Sequence, residues 1–195
     1  MKVCIFGGTF DPPHIGHLII AGAIKEAENI DRMIFVPAFL PPHKEASEFS
    51  SVEDRLKMLK LSLIETDHFE LSDIEIKRGG VSYSIETIRE IKKEFKLTRE
   101  EIYFLMGSDS LIEFNNWKNP DKILRESQVI VALRPGFRPS KISQKYLSKI
   151  WLSNVLQVEI SSSQIRKRVR SKLSIKYLVL DSVLEYIKEK ELYLQ

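Results

Sequence analysis

The chain has 195 residues, 43% of them hydrophobic and 29% charged, with a formal net charge of +3. This length suffices for one domain with a substantial core, and the small positive charge lacks the basic density typical of nucleic-acid binders. Cys4 is the single cysteine, which excludes an intrachain disulfide and a cysteine metal site. Because no signal peptide is recognised and no apolar run approaches the ~18 residues of a membrane span, we expect a cytoplasmic protein without a membrane partner.

The first predicted strand, turn and helix form the strongest pattern in the chain. A buried strand is predicted at 2–6 and a helix at 15–28. Between them, Gly7 and Gly8 allow the backbone to approach a ligand, and the unpaired N–H groups that open the helix favour an anion. His14 and His17 are spaced i, i+3, so they lie on one side of the first turn. The pattern predicts a phosphate-binding turn beside two imidazoles, with a pair of metal ligands as the alternative.

The rest of the chain alternates between predicted strands and helices. Strands are predicted at 32–36, 69–77, 102–106, 128–133 and 155–159, with the strand at 69–77 either whole or broken near Ser72. Helices are predicted to begin at the Ser51 cap and to cover 84–95, 110–114, 121–126, 161–169 and 181–191. Alternation with right-handed crossovers predicts a single α/β domain over 1–195, a Rossmann-like doubly wound parallel sheet with a helical C-terminal end. The absence of GxGxxG and GxxxxGK[ST] disfavours dinucleotide-dependent dehydrogenases and Walker-type ATPases.

Several local features are predicted from residue type alone. Asp11 precedes two prolines and is predicted to cap the first helix, in preference to binding a metal. Ser84 is predicted to cap its own helix, Trp151 to pack, and 137–150 to form a loop or a loose helix. The apolar stripe of the helix after Ser51 is predicted to be Leu56, Leu59, Leu63 and Ile64.

Two later segments could also meet an anion. A proline-rich loop at 37–50 follows the second strand, at the sheet edge where ligands bind in open α/β folds, and carries Lys44. Lys44 is either a solvated surface charge or a ligand of a moving polyphosphate. The sequence ISSSQIR at 160–166 opens a helix with hydroxyls and places Arg166 one turn in. That arrangement fits ordinary capping and also fits a second anion site.

The run GGTFDPPHIGH at 7–17 closely resembles the signature of the HxGH nucleotidyltransferase superfamily. In its full length it is similar to that of the bacterial nicotinate-nucleotide adenylyltransferase family, and ISSSxIR resembles a second motif of these enzymes. The resemblance implies adenylyl transfer from ATP to nicotinate mononucleotide, giving deamido-NAD and pyrophosphate by in-line attack of the acceptor phosphate. It further implies Mg²⁺ held mainly by the ATP phosphates, with no metal ligand from the protein, and it allows a homo-oligomer.

The resemblance also implies roles for individual residues. The implied catalytic residues are His14, His17, Lys44 and Arg166. The implied ATP contacts are Gly8, Thr9, Phe10, His14, His17, Gly107, Asp109, Arg134, Ser161, Ser163 and Arg166. The implied contacts to nicotinate mononucleotide are Lys44, Ser84, Thr87, Leu111 and Trp117. Each has a structural alternative: serines and Asp109 as helix caps, Arg134 in a turn, and Trp117 as a packing residue.

Other functions stay open at this point. The acceptor could be nicotinamide mononucleotide, alone or together with the acid, and phosphopantetheine or cytidylyl-transfer substrates are disfavoured. A non-catalytic nucleotide sensor and an RNA-binding module, the latter suggested by a sequence pI near 8.8, are the alternatives from other classes. The proposed chemistry requires the helix openings at 15 and 161 to converge, with His14 and His17 near Arg166.

Overall fold

The computed structural model describes residues 1–42, 49–64, 66, 68–137, 144–153, 155–156 and 158–194. The strands are β1 (Val3–Gly8), β2 (Arg32–Pro37), β3 (Phe69–Leu71), β4 (Ile102–Gly107), β5 (Gln128–Ala132) and β6 (Ile150–Ser153). The helices are α1 (Ile15–Ala27), α2 (Val52–Leu63), α3 (Ile74–Arg78), α4 (Ser84–Glu94), α5 (Ser108–Ile112), α6 (Pro120–Glu126), α7 (Gln144–Leu147), α8 (Ser162–Arg170) and α9 (Asp181–Glu189), with a 3-10 turn at Phe114–Asn116. Within these ranges, none of the helices is long and apolar enough to cross a membrane.

The six strands form one parallel sheet in the order β3-β2-β1-β4-β5-β6. Strand order therefore reverses between β1 and β4, whose registered pairs run from Val3 and Ile102 to Phe6 and Leu105. The carboxyl ends of both strands, at Gly8 and Gly107, flank this switch point. In open α/β sheets the crevice at such a point binds ligands. The predicted Rossmann-like doubly wound sheet is confirmed.

Alternate side chains of the strands build two cores, one on each face of the sheet. On one face, Ile85, Ile88 and Ile91 of α4 pack over the central strands, as their spacing predicts. On the other face, α1 and α2 cover the sheet with Ala21, Ile24, Leu59 and Leu63. The two layers place the ends of β1 and β4 between helices.

A third apolar cluster holds the C-terminal helices against α2. Met58 of α2 packs with Ile165 of α8 and with Val183 and Ile187 of α9. The helix cap predicted at Ser51 is confirmed, because its Oγ accepts a hydrogen bond of 3.0 Å from the backbone N–H of Asp54. By seating α8 on α2, this cluster brings a late segment of the chain next to the turn that follows β1.

Two predicted strands are wrong in extent or position. The strand expected at 69–77 ends at Leu71, and 74–78 forms α3, because alternating charged and apolar residues also suit one helical turn with Asp73 and Lys77 paired at i, i+4. The strand expected at 155–159 lies instead at Ile150–Ser153, where Ile150 and Leu152 pack inward. Trp151 obscures the period-2 pattern because it is 58% exposed, so its predicted packing role is also wrong.

Smaller corrections concern helix boundaries. Ile64 is exposed and does not belong to the apolar stripe of α2, whose buried residues are Arg55, Met58, Leu59, Ser62 and Leu63. The helix predicted at 110–114 is α5 at Ser108–Ile112, followed by the 3-10 turn. Within 137–150, the described part contains the short helix α7, and 138–143 lie outside the described residues.

Candidate active site

The turn after β1 is built from a glycine and a buried aromatic ring. A Cβ atom at Gly8 would lie 3.0 Å from the Phe10 ring, so a larger residue would displace that ring. Phe10 has a φ of 51°, a left-handed conformation that directs its ring into the core against Phe6 and Phe35. Phe10 is therefore a packing residue whose backbone alone faces the turn, and Thr9 beside it is partly exposed.

The two histidines form a stacked pair at the start of α1. Their ring centroids are 3.6 Å apart with an interplanar angle of 20°. The backbone N–H of His14 donates to Nδ1 of His17 at 3.1 Å, which leaves Nε2 as the N–H donor of that ring. A Cβ atom at Gly16 would lie 3.0 Å from Nδ1 of His14 and 3.4 Å from Val158, so a larger residue would press on the His14 ring. The glycine of the HxGH motif is thus explained by its close packing against the His14 ring.

Both imidazoles are held in the neutral form. Burial, and after it the charge of the nearby Arg134 guanidinium, lower the pKa of His14 to about 4. Burial, followed by the charges of His14 and Arg134, holds the pKa of His17 well below its usual value of 6.5. At neutral pH each ring can therefore donate one hydrogen bond without carrying a charge.

A charged pair lies beyond the neighbouring strands β4 and β5. Nη1 of Arg134 is 2.7 Å from Oδ2 of Asp109, in the first turn of α5, and both side chains are well exposed. The backbone N–H of Arg134 also donates to Oγ of buried Ser108 at 3.2 Å. A Cβ atom at Gly107 would meet nothing within 4 Å, so the edge beside the pair is open. The carboxylate and the guanidinium are both accessible to a ligand.

The opening of α8 docks on the segment that precedes α1. Ser161 caps α8, exchanging hydrogen bonds with Gln164. Oγ of Ser162 donates to the carbonyl oxygen of Pro12 at 2.8 Å, and Nη1 of Arg166 donates to that of Asp11 at 2.7 Å. The openings of α1 and α8 are therefore joined through Asp11 and Pro12, and their convergence on one triphosphate stays a prediction. Ser163 is exposed and lies beside Arg166, with Oγ 3.4 Å from Nη2.

Asp11 does not cap α1, so that prediction is wrong. The residue at the cap position is His14, because Pro12 and Pro13 delay the start of the helix. Asp11 is 1% exposed, and its carboxylate accepts hydrogen bonds from the Ser50 backbone N–H and the Tyr193 hydroxyl.

The residues assigned to the second substrate are only partly accessible. Ser84 is the first residue of α4, and Tyr83 holds the cap position, so the predicted Ser84 cap is displaced by one residue. The Thr87 hydroxyl is buried, donating to Glu75 and accepting from Arg78, and Leu111 is also buried. Trp117 is half-buried with its ring 5.4 Å from that of Phe114. Lys44 lies outside the described residues.

Sequence reasoning missed a buried arginine beneath the turn. Arg55 is 2% exposed, and its guanidinium donates to four carbonyl oxygens. These belong to Thr9 at 3.1 Å, Ala38 at 2.6 Å, Phe39 at 3.0 Å and Ser50 at 3.3 Å. Arg55 thereby joins the turn after β1 to the segments that follow β2 and precede α2. The available signal was a charged residue four positions before Leu59, on the inward face of α2.

A cavity of about 1070 Å³ lies elsewhere, at the amino ends of β5 and β6. Arg99, Gln128 and Trp151 are among its lining residues, and none of the predicted site residues takes part. The turn after β1 and the opening of α8 lie instead at the carboxyl edge of the sheet.

Comparison with known proteins agrees with this geometry. The cytidylyltransferase-like family model matches residues 5–168. The "probable nicotinate-nucleotide adenylyltransferase" of Caldicellulosiruptor saccharolyticus is 40% identical over 199 residues, 99% of each chain. The protein of that name from Borreliella burgdorferi is 38% identical over 195 residues, 100% of this chain and 98% of its own.

Solved structures show the same fold at lower identity. Plasmodium falciparum nicotinic acid mononucleotide adenylyltransferase complexed with NaAD superposes with a TM-score of 0.80 at 22% identity. The match covers 98% of this chain and 97% of that one. The same protein complexed with APC gives a TM-score of 0.77 at 20% identity, covering 98% and 96%.

Proposed function

The chain belongs to the nicotinate-nucleotide adenylyltransferase family, and we propose on this premise that it transfers AMP from ATP to nicotinate mononucleotide. The products are deamido-NAD and pyrophosphate, so the chain is a nucleotidyltransferase of NAD biosynthesis. The observation that carries the proposal is the junction of the α1 and α8 openings, where Arg166 bonds to the segment preceding the histidine pair. Two helix N-termini and a guanidinium at one place suit a triphosphate.

The reaction needs no nucleophile from the protein. A phosphate oxygen of nicotinate mononucleotide attacks the α-phosphorus of ATP, and the bond from that phosphorus to the bridging oxygen of the β-phosphate breaks. The electron pair leaves with pyrophosphate. Catalysis then consists of aligning the two substrates and stabilising the charge that develops on the phosphate oxygens.

Two kinds of side chain would stabilise the charge on the phosphate oxygens. The neutral imidazoles donate hydrogen bonds, and the arginines and Lys44 carry positive charge. His17, with its Nδ1 occupied by the backbone of His14, presents Nε2–H as a hydrogen-bond donor to the α-phosphate. Nδ1 of His14 is buried against Gly16, so Nε2 is the nitrogen that this ring would offer to the phosphates. Arg166 and Arg134 supply positive charge for the departing pyrophosphate, and Lys44 is assigned the same task.

The remaining ATP contacts that we propose lie just after β1 and β4 and at the start of α8. The backbone of Gly8, Thr9 and Phe10 would approach the nucleotide, since that turn lies at the switch point of the sheet. Gly107 and the Asp109 carboxylate suit the ribose hydroxyls, because the glycine leaves space and the carboxylate accepts hydrogen bonds. Further phosphate ligands would come from the hydroxyls that open α8, those of Ser161 and Ser163.

Nicotinate mononucleotide would lie against α4 and the segment after α5. The N-terminus of α4, at Ser84, favours an anion and therefore the nicotinate carboxylate over the neutral amide. Trp117 keeps part of its ring exposed for stacking on the pyridine. The Thr87 hydroxyl and the Leu111 side chain are buried, so these two positions would support the site by packing and hydrogen bonding behind it.

Magnesium would enter together with ATP. Among the described residues, no three His, Cys, Asp or Glu side chains lie together in a way that could hold a metal ion. Asp11 is enclosed and hydrogen-bonded, and Asp109 is paired with Arg134. The phosphate oxygens and water would therefore hold Mg²⁺, which supplies neutralisation of phosphate charge.

The proposal is tested by a paired acceptor assay. Pyrophosphate release is measured with ATP and Mg²⁺ plus nicotinate mononucleotide, nicotinamide mononucleotide or phosphopantetheine, and mass spectrometry identifies the product. We expect deamido-NAD and a higher kcat/KM for the acid than for the amide. Equal rates for acid and amide would indicate dual specificity. ATP binding without turnover on any acceptor would indicate the non-catalytic nucleotide sensor instead.

Several broader expectations stay predictions. They are a single domain over 1–195, a cytoplasmic location, a homo-oligomer and the absence of nucleic-acid partners. A filter-binding titration with RNA at two salt concentrations tests the last of these, because phosphate contacts would make any affinity salt-dependent.

A further inference from the structure

A buried carboxylate lies beneath the phosphate-binding turn, and the reaction proposed above gives it no part. Asp11 is 1% exposed, and a buried charge is tolerated only when hydrogen bonds or opposite charges satisfy it. Its Oδ1 accepts from the Tyr193 hydroxyl at 2.6 Å, across 182 residues of sequence, and its Oδ2 accepts from the Ser50 N–H at 3.2 Å. Both carboxylate oxygens are thus engaged on the inner side of the turn.

The same residue also holds Arg166. Nη1 of Arg166 donates to the carbonyl oxygen of Asp11 at 2.7 Å and lies 3.9 Å from its Oδ2. A carboxylate free to turn would close that gap and form a tight ion pair, since charge-assisted hydrogen bonds of about 2.8 Å are strongly favoured. Such a pair would withdraw the guanidinium from a ligand's phosphates. The hydrogen bonds from Tyr193 and Ser50 oppose this movement.

The Tyr193 hydroxyl is suited to a permanent donor role. Burial, together with the adjacent Asp11 carboxylate, raises the pKa of Tyr193 far above its usual value, so the hydroxyl stays protonated. Its side chain belongs to the apolar cluster that seats α8 and α9 on α2. The segment after α9 therefore inserts a fixed hydrogen-bond donor under the turn.

We propose that Tyr193 and Asp11 are positioning residues for Arg166: the Tyr193 hydroxyl holds the Asp11 carboxylate away from the Arg166 guanidinium, while the Asp11 carbonyl fixes that guanidinium toward the ATP phosphates. The inference rests on the function proposed above and adds to it a residue far from the phosphate-binding motifs in sequence. It assigns no direct substrate contact to Tyr193.

A second tyrosine offers a matched control. The Tyr186 hydroxyl, on α9, donates to Oδ1 of Asp54, on α2, at 2.8 Å. This bond also joins the C-terminal part of the chain to a carboxylate, but among the described residues Asp54 has no hydrogen bond or ion pair with the turn or with Arg166. Tyr186→Phe therefore removes the same kind of bond from the same packing interface without touching the proposed positioning.

The experiment compares wild type, Tyr193→Phe and Tyr186→Phe. For each, kcat and KM are measured with ATP and nicotinate mononucleotide, ATP affinity by calorimetry with Mg²⁺, and Tm by calorimetric scan. Loss of a hydrogen bond to a charged group typically changes an equilibrium constant by about tenfold or more. We therefore expect Tyr193→Phe to weaken ATP binding by about tenfold and to lower kcat/KM for ATP by the same factor. We expect KM for nicotinate mononucleotide to stay within about twofold, and Tyr186→Phe to match wild type in all kinetic values while lowering Tm comparably.

The outcomes separate the two proposals. If the wild type converts both substrates and the two variants have equal kcat and KM values, the positioning role of Tyr193 is overturned. The proposed function is unaffected by that result. Equal rises in KM for ATP and for nicotinate mononucleotide in Tyr193→Phe would also overturn the positioning role. That result would mean that the variant disturbs the whole site and not Arg166 alone. Asp11→Asn in the Tyr193→Phe background is a second variant. Because a neutral amide cannot form the ion pair with Arg166, we expect it to restore kcat/KM for ATP toward the wild-type value, and no restoration would contradict the proposal. A wild type without any turnover would remove the proposed function and this inference with it.

Discussion

The imidazoles of His14 and His17 stack 3.6 Å apart, and the backbone N–H of the first donates to Nδ1 of the second. Two cationic rings at this distance would repel each other, and the nearby Arg134 adds to the repulsion. The stack is therefore stable only while the rings are neutral. Its geometry makes the site a set of hydrogen-bond donors rather than a proton relay.

The depressed histidine pKa values predict a loss of stability in acid. In the unfolded chain His14 titrates near 6.5, and in the folded chain at about 4, so between these values the unfolded state binds more protons. The free energy of unfolding is therefore unaffected by protonation of this histidine above pH 6.5 and falls as the pH is lowered toward 4. Denaturant titrations from about pH 8 to about pH 4 should show this decline, and it should be smaller in His14→Asn. An unchanged slope in that variant would contradict the assignment.

Replacement of His17 should affect chemistry far more than folding. Removing one fixed donor to a developing negative charge typically lowers the rate by about a hundredfold or more, so we expect that loss of kcat in His17→Ala. His68 is an exposed histidine just before β3, and His68→Ala is the control that should retain wild-type kcat. A folded His17→Ala with full activity would remove His17 from the mechanism.

Arg55 should contribute strongly to stability through the segments that it joins. Arg55→Met leaves four carbonyl oxygens without their donor, and we expect a loss of about 3 kcal/mol or more in the free energy of unfolding. Arg32 pairs with Glu70 at a partly exposed position, so Arg32→Met should cost less than about 1 kcal/mol. Urea denaturation measures both. Similar losses in the two variants would mean that the Arg55 contacts contribute little.

The exposed pair of Asp109 and Arg134 should matter for ATP and not for the fold. Asp109→Asn removes one exposed ion pair, which typically changes stability by less than about 1 kcal/mol. Asp121 pairs with Lys145 at 2.8 Å, is similarly exposed and lies away from the turn, so Asp121→Asn is the matched control. We expect only Asp109→Asn to raise KM for ATP, by about tenfold if one hydrogen bond to ribose is lost. Equal KM values in the two variants would exclude the ribose contact.

Local patterns predicted the sheet and the two helix openings, because neighbouring residues in the sequence determine both features. The buried strands follow apolar runs such as 102–106, and the start of α8 follows from the serines of ISSSQIR. The position of β6 was missed because Trp151 places a large apolar side chain on an exposed face. The periodicity signal fails wherever an outward position is not polar.

The parts of the site that escaped prediction depend on distant partners. Asp11 looks like a helix cap from its neighbours, whereas its actual partner Tyr193 is 182 residues away. Arg55 looks like a surface residue of an amphipathic helix, although it reaches the Thr9 carbonyl 46 residues away. No local preference encodes such bonds, because only the packing of α2 against the sheet and the C-terminal helices creates them.

The Tyr193–Asp11 bond has a consequence for how the protein is made. The turn after β1 is translated 182 residues before one of the donors that anchors it, the hydroxyl of Tyr193. While the nascent chain is still on the ribosome, the turn can form its strand and its glycine bend but not its final anchorage. Competence to bind nucleotide should therefore arise late in synthesis, after the segment beyond α9 has left the exit tunnel.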